Sequence, residues 1–294
     1  MAYGPGPSRS APARRTGGAI GIVVIVAFAV LIASIVTYIA THNGEQEEAV
    51  KPEQGCLVSV DDFTTNLTWE QSVNASVIVG ESIRRGLPAR AATIALVTAY
   101  QESDLRNLDY GDADSLGLFQ QRPSQGWGTA DQIMDPWYSA GKFYEALVKV
   151  DDWESGVIND VAQAVQRSGH PEKYAQHEPK GRAWASALTG FSPAAVSCID
   201  RADNAADPAV LTDFIATVWG DAVSVTTSDA GALLISTADD TTSWAVAQLA
   251  VMRGQDLGMT SIQAVDQSFT VSGDEYAYWQ PAEAAAAPVV VNLR

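Results

Sequence analysis

The chain has 294 residues, with 18 Lys or Arg against 35 Asp or Glu, a formal net charge of −17. So acidic a balance excludes a nucleic-acid partner, which needs a basic footprint on phosphate, and it opposes electrostatic attraction to anionic polymers. Hydrophobic residues make up 47% of the chain, enough for roughly one to three cores.

Residues 1–18 carry Arg9, Arg14 and Arg15 and no acid, and an uncharged apolar run follows from Ala19 to Ala40. At about 1.5 Å per residue such a run spans the ~30 Å hydrocarbon layer of a bilayer. This predicts a cytoplasmic tail at 1–18 and a transmembrane anchor at 19–41, with everything after it outside the cell. The orientation follows from the basic flank, opposite Glu45, Glu47 and Glu48. A cleaved signal peptide is the competing reading, but its apolar region ordinarily runs only about 7–15 residues. Residues 42–55 read as a polar linker.

The next segment, 56–199, reads as mainly α. Thr68 is a candidate cap for the helix in "WEQSVNASVIVGESIRR", and Pro88 opens a second helix whose positions 91–100 are almost wholly apolar. Residues 103–130, rich in Gly, Asp and Ser, read as loop. Asp135 and Pro136 start a third helix, and "VINDVAQAVQRSG" and "KGRAWASALTG" supply two more. A polar connector at 200–207 leads to residues 208–294, a small α+β domain with strands expected in "AVSVTTS", "ALLIST", "FTVSG", "YAYWQ" and "PVVVNLR". The expected fold class is therefore α+β: a transmembrane helix, a mainly α domain and a small α+β domain.

The two cysteines, Cys56 and Cys198, flank the mainly α segment. In an oxidising exterior they are expected to close it with one disulfide; the alternative is two unpaired thiols. Two Cys and scattered His do not make a zinc set, and His170 and His177 have no third ligand candidate nearby, so no metal and no cofactor is expected.

The chemistry concentrates in "QESDLRNLDYGDADSLGLFQQRP". Ala91, Ala95, Thr98 and Glu102 share one helix face, small residues leading to a carboxylate. Burial and the negative end of the helix dipole both disfavour the Glu102 anion, and both favour a proton-carrying general acid. The plainer alternative is a glutamate that reaches solvent at the helix end and pairs with Arg106.

Glu102-Ser103 at the end of a buried helix, followed by Gly117-Leu118-Phe119-Gln120 and Pro123, resembles the lytic transglycosylases of the lysozyme-like superfamily, over roughly residues 68–190. Phe119 stands where that family has Met. The longer stretch also resembles a set of exported, membrane-anchored actinobacterial proteins. The resemblance implies a lysozyme-like domain that cleaves the β-1,4 bond between N-acetylmuramic acid and N-acetylglucosamine in peptidoglycan glycan strands. Glu102 would protonate the glycosidic oxygen and the muramoyl C6 hydroxyl would attack the anomeric carbon, so a second carboxylate is dispensable. Ser103, Gly117, Leu118, Phe119, Gln120 and Trp127 would form the sugar cleft.

Two departures leave alternatives open. The family's Tyr-Asn element on a later helix is replaced by Val165 and Gln166, with Tyr174 or Tyr144 as candidates to compensate. In addition, Asp112 or Asp114 could face Glu102 and direct water, making a hydrolase; their plainer role is in Asx-turns. A non-catalytic lysozyme-like module that binds glycan or scaffolds a cell-envelope partner protein is the second function considered. The expected partners are thus glycan strands, the bilayer through the anchor, and an envelope protein.

Overall fold

The computed structural model describes residues 1, 4, 31–34, 37, 52–169 and 172–294. The chain divides into two units, Met1–Lys51 and Pro52–Arg294. In the first, residues 31–34 and 37 are helical. The expected fold class is corrected at this point. Among the described residues no helix is long and apolar enough to cross a membrane, because a span needs about 20 consecutive apolar residues in one helix. Most of the 19–41 span, the tail and the linker lie outside the described residues, as does His170.

The second unit is a mixed α/β structure with two sheets. Strand β1 (Gly55–Val60) lies between β2 (Phe63–Leu67) and β3 (Val196–Ile199), antiparallel to both. This small sheet departs from the mainly α expectation for 56–199. Its strands run four to six residues, too short for a two-residue period to stand out from loop. Cys56 pairs in register with Cys198, and the two form the expected disulfide across a sequence separation of 142. By loop entropy a bridge that long stabilises by at most about 5 kcal/mol.

Helix α1 (Trp69–Arg84) starts at Thr68 as its sequence requires. The Thr68 hydroxyl accepts the Gln71 N–H while the Gln71 side chain accepts the Thr68 N–H, a reciprocal cap worth about 1 kcal/mol. Helix α2 (Ala89–Ser103) follows Pro88 and is buried from Ala91 to Tyr100. The short α3 (Ala130–Ile133) precedes α4 (Pro136–Leu147), which begins on Asp135, whose carboxylate accepts the Trp137 N–H at 2.9 Å. Helices α5 (Ile158–Gln166) and α6 (Glu178–Leu188) complete this half. The α2–α6 contact is close: a Cβ on Gly181 would stand 2.5 Å from Val97 Cγ2.

The C-terminal half holds α7 (Ala209–Trp219), α8 (Asp240–Met252), α9 (Gly254–Leu257) and an antiparallel sheet. In order across that sheet run β4 (Ser224–Thr227), β5 (Leu233–Ser236), β9 (Val289–Leu293), β6 (Met259–Ala264), β7 (Gln267–Thr270) and β8 (Gln280–Pro281). Strand β6 follows directly on the short α9, and Gly258, at φ 66°, makes the turn between them. Helix α8 is buried from Ser243 to Met252 and packs on α1, α6, β3 and β6. Within it Gln248 is fully buried and fully used. Its Oε1 accepts the Ala195 and Val196 N–H groups at 2.8 and 3.1 Å, and its Nε2 donates to Ala187 O at 2.6 Å. One hydrophobic core runs through both halves. Asp200, at the head of the expected connector, is buried and pairs with Arg294 at 3.1 Å.

Candidate functional site

The C-terminal end of α2 is where the chain changes direction most sharply. Asp104 and Leu105 both take left-handed conformations, at φ 54° and 58°, a costly choice for non-glycine residues. Two side chains of α1 hold it: Gln71 Nε2 donates to Asp104 O at 2.7 Å, and Asn74 Nδ2 donates to Leu105 O at 2.8 Å. The helix therefore stops abruptly and leaves Glu102 half-buried on its last turn.

The Gly117–Gln120 turn is closed by a two-bond bridge, with the Leu116 and Gln121 N–H groups each donating to the other's carbonyl at 2.9 Å. Gly117 sits at φ 75°, and a Cβ there would come within 2.8 Å of Ile133 O. Ser103 ties this turn to the helix end: its hydroxyl donates to Leu118 O at 2.7 Å across 15 residues of sequence. The side chains of Leu118 and Phe119 point into the core, both fully buried, and Phe119 stacks on Phe143 at 4.6 Å. The sequence had grouped Gly117, Leu118 and Phe119 with the sugar cleft. The structure uses them to anchor the turn, and it is Gln120 that faces outward. Gln120 Nε2 reaches Tyr110 O and Gly117 O, both at 3.3 Å.

A cleft of about 280 Å³ opens on Glu102, lined also by Asp112, Ser115, Gln120, Arg122 and Trp127. Gln166, Arg167, Ser168 and Gly169 close its other side. Gln166, in the slot where a Tyr-Asn element was expected, donates to Phe119 O at 2.7 Å and so braces the turn across the cleft. A larger cavity, about 660 Å³ and bordered by Phe63, Arg90 and Phe191, shares no lining residue with the Glu102 cleft. It is mostly apolar, and we take the smaller cleft as the candidate site because the carboxylate and the polar donors converge there.

Of the two candidate tyrosines, Tyr174 meets the glutamate. Its hydroxyl donates to Glu102 Oε1 at 2.5 Å. Tyr144 is fully buried and spends its hydroxyl on Ile78 O at 2.9 Å. Tyr174 is itself fully buried, and both burial and the Glu102 hydrogen bond push its phenol well above the ordinary tyrosine range. It is a fixed O–H donor at any physiological pH. The turn that carries it is pinned by Asn159, whose Oδ1 accepts the Ala175 N–H at 3.1 Å.

The aspartates divide. Asp114 accepts from Arg122 Nε at 2.8 Å, from the Ser124 N–H at 2.8 Å and from the Ser124 hydroxyl at 3.0 Å. Those bonds, Arg122 first, hold its carboxyl down at about 2. It braces the loop and does not line the cleft. Asp112 does line it. Among the described residues no group of His, Cys, Asp and Glu is arranged to hold a metal.

No protein-family model matches the chain, and no curated protein matches it in sequence.

Proposed function

We propose that the folded unit is a glycosidase of lytic-transglycosylase type acting on peptidoglycan glycan strands, with Glu102 as its general acid and base. The observation that carries this reading is the 2.5 Å hydrogen bond from Tyr174 to Glu102 Oε1 at the mouth of a polar cleft. A phenol held on one carboxyl oxygen fixes the side chain's rotamer beside the cleft.

The steps follow from that arrangement. Protonated Glu102 gives its proton to the glycosidic oxygen as the C1–O bond breaks, leaving an oxocarbenium-like sugar and a carboxylate. The Tyr174 O–H stabilises that carboxylate. The muramoyl C6 hydroxyl then attacks C1 and passes its proton back to Glu102, giving a 1,6-anhydro ring and restoring the acid. No water enters, so no second carboxylate is needed. Trp127 offers a face for a sugar ring, and Gln120 offers an amide for its N-acetyl group. The Cys56–Cys198 disulfide suits an oxidising compartment, where such a substrate is met.

The test is to incubate the 294-residue protein with purified peptidoglycan and weigh the released muropeptides by mass spectrometry. Anhydro-muramoyl ends that vanish in Glu102→Gln support the proposal. Reducing ends would move the enzyme to a muramidase, with Asp112 directing water. Retention on the polymer without any release would instead favour a glycan-binding or scaffolding module.

A further inference from the structure

The cleft beside Glu102 does not end at Trp127. A second chamber of about 340 Å³ shares four of its lining residues, Gln125, Trp127, Gln166 and Arg167. The two spaces thus adjoin along a wall made by those four residues. Beyond that wall the chamber is bordered by Ala146, Lys149, Val150, Ala164 and Val165. Its charged lining residues are Lys149 and Arg167, and no acid lines it.

That is unusual in a chain with 35 acids against 18 bases. Other cations of the helical half are already paired: Arg84 and Arg85 with Glu81, Lys142 with Glu145, Arg122 with Asp114. The side chains of Lys149 and Arg167 make no ion pair or hydrogen bond with any other described residue. Arg167 is moreover held at this spot by its backbone. It caps α5 in the left-handed region at φ 53°, its N–H bonding Gln163 O at 2.7 Å. The turn is locked by Gln163 Nε2 on Ser168 O at 2.9 Å and by the Ser168 hydroxyl on Gln163 Oε1 at 3.0 Å. An arginine in that conformation is strained, and here it lines both the chamber and the Glu102 cleft.

We propose that this chamber is a carboxylate subsite: Lys149 and Arg167 take an anionic substituent of the glycan strand whose sugars occupy the Glu102 cleft. The inference rests on the glycan reading given above and deepens it, since it makes the substrate an acidic glycan rather than a neutral chitin-like one. In peptidoglycan the carboxylate has two sources: the lactyl group of a sugar that carries no peptide, and the peptide itself where one is attached and the lactyl carboxyl is an amide. A chamber one indole away from the acid suits either, and the basic pair is matched to a planar carboxylate.

Binding is measured to full-length Glu102→Gln protein, which holds ligand without cutting it, by titration calorimetry. Three tetrasaccharides serve as probes: neutral N-acetylglucosamine oligomer, muramoyl oligomer stripped of peptide by an amidase, and the same oligomer with peptides attached. Lys149→Gln with Arg167→Asn removes both charges, asparagine being the residue that best tolerates the left-handed position. The double variant is expected to lose about tenfold in affinity for carboxylate-bearing oligomer and less than about twofold for the neutral one. Loss confined to the peptide-free muramoyl probe assigns the lactyl carboxylate, loss confined to the peptide-bearing probe assigns the peptide, and loss on both supports a subsite that takes either. Equal loss on all three probes, or none on any, overturns the subsite while leaving the glycan reading standing. Failure of the Glu102→Gln protein to bind any oligomer overturns both. Lys149→Arg, which keeps the charge, is expected to retain the preference, and its loss there would count against the proposal.

Discussion

Two neighbouring helices each carry a glutamate near their C-terminal end, one buried and one half-buried, and the molecule treats the two in opposite ways. At the end of α1, Glu81 is fully buried and clamped by cations: Arg84 at 2.6 and 2.7 Å, and Arg85 at 2.6 Å. Gly141 of α4 lies against this cluster, where a Cβ would come within 3.1 Å of Glu81 Oε1. At the end of α2, Glu102 lines a polar cleft and receives the hydroxyl of Tyr174. Glu81 is held by two guanidiniums from its own end of α1, and one of them, Arg85, reaches on to Glu145 of α4 at 3.5 Å. The phenol on Glu102 Oε1 fixes the orientation of that side chain. Burial of an acid, then, does not by itself mark a catalytic residue; in the function proposed above, the chemistry of its partner does.

The sharpest way to break this comparison is to remove each carboxyl in turn. Glu102→Gln is expected to lower fragment release at least about a hundredfold, with little change in thermal midpoint. An unaffected rate would end the assignment of Glu102. Glu81→Gln should do the reverse. It leaves two part-exposed guanidiniums without their shared carboxylate, so denaturant titration should show a loss of about 2–3 kcal/mol. Residual activity per folded molecule should be near wild type.

Next in size is the phenol. Tyr174→Phe removes one charge-assisted hydrogen bond, and kcat is expected to fall about tenfold while KM barely moves. A change in KM alone would mean that Tyr174 touches substrate rather than orienting Glu102. The smallest effect belongs to Asp114. Its folded carboxyl sits near 2, below the ~3.9 of an unfolded chain. Its contribution is therefore present above about pH 4 and lost as the pH falls toward 2. Acid titration followed by Trp127 fluorescence should show loosening of the loop in that window, and Asp114→Asn should abolish the acid-dependent part.

Much of this was legible along the chain. Thr68, Pro88 and Asp135 announce the starts of α1, α2 and α4, because capping depends on a residue and its neighbours within a turn. Glu102-Ser103 and Gly117–Gln120 stand out as a pair, and the role of Ser103 in joining them follows from one hydroxyl. Leu118 and Phe119 could not be sorted from Gln120 by sequence, since which of them turns inward depends on Phe143, on another helix. The β1–β2–β3 sheet was hidden because its strands are short and β3 pairs with a segment nearly the whole domain away.

By itself, then, the sequence determined the local things: where helices begin, which cysteines were present to pair, and that an acid would sit at the end of a buried helix. Only the tertiary structure decided what that acid meets. Tyr174 lies 72 residues from Glu102, and the side chain it rejects, Tyr144, looks no different in the sequence. Nor could the pattern foretell that Lys149 and Arg167 would share a chamber with Trp127. Helix starts are governed by hydrogen bonds within a few residues, whereas partners across a cleft are chosen by packing of elements far apart in the chain.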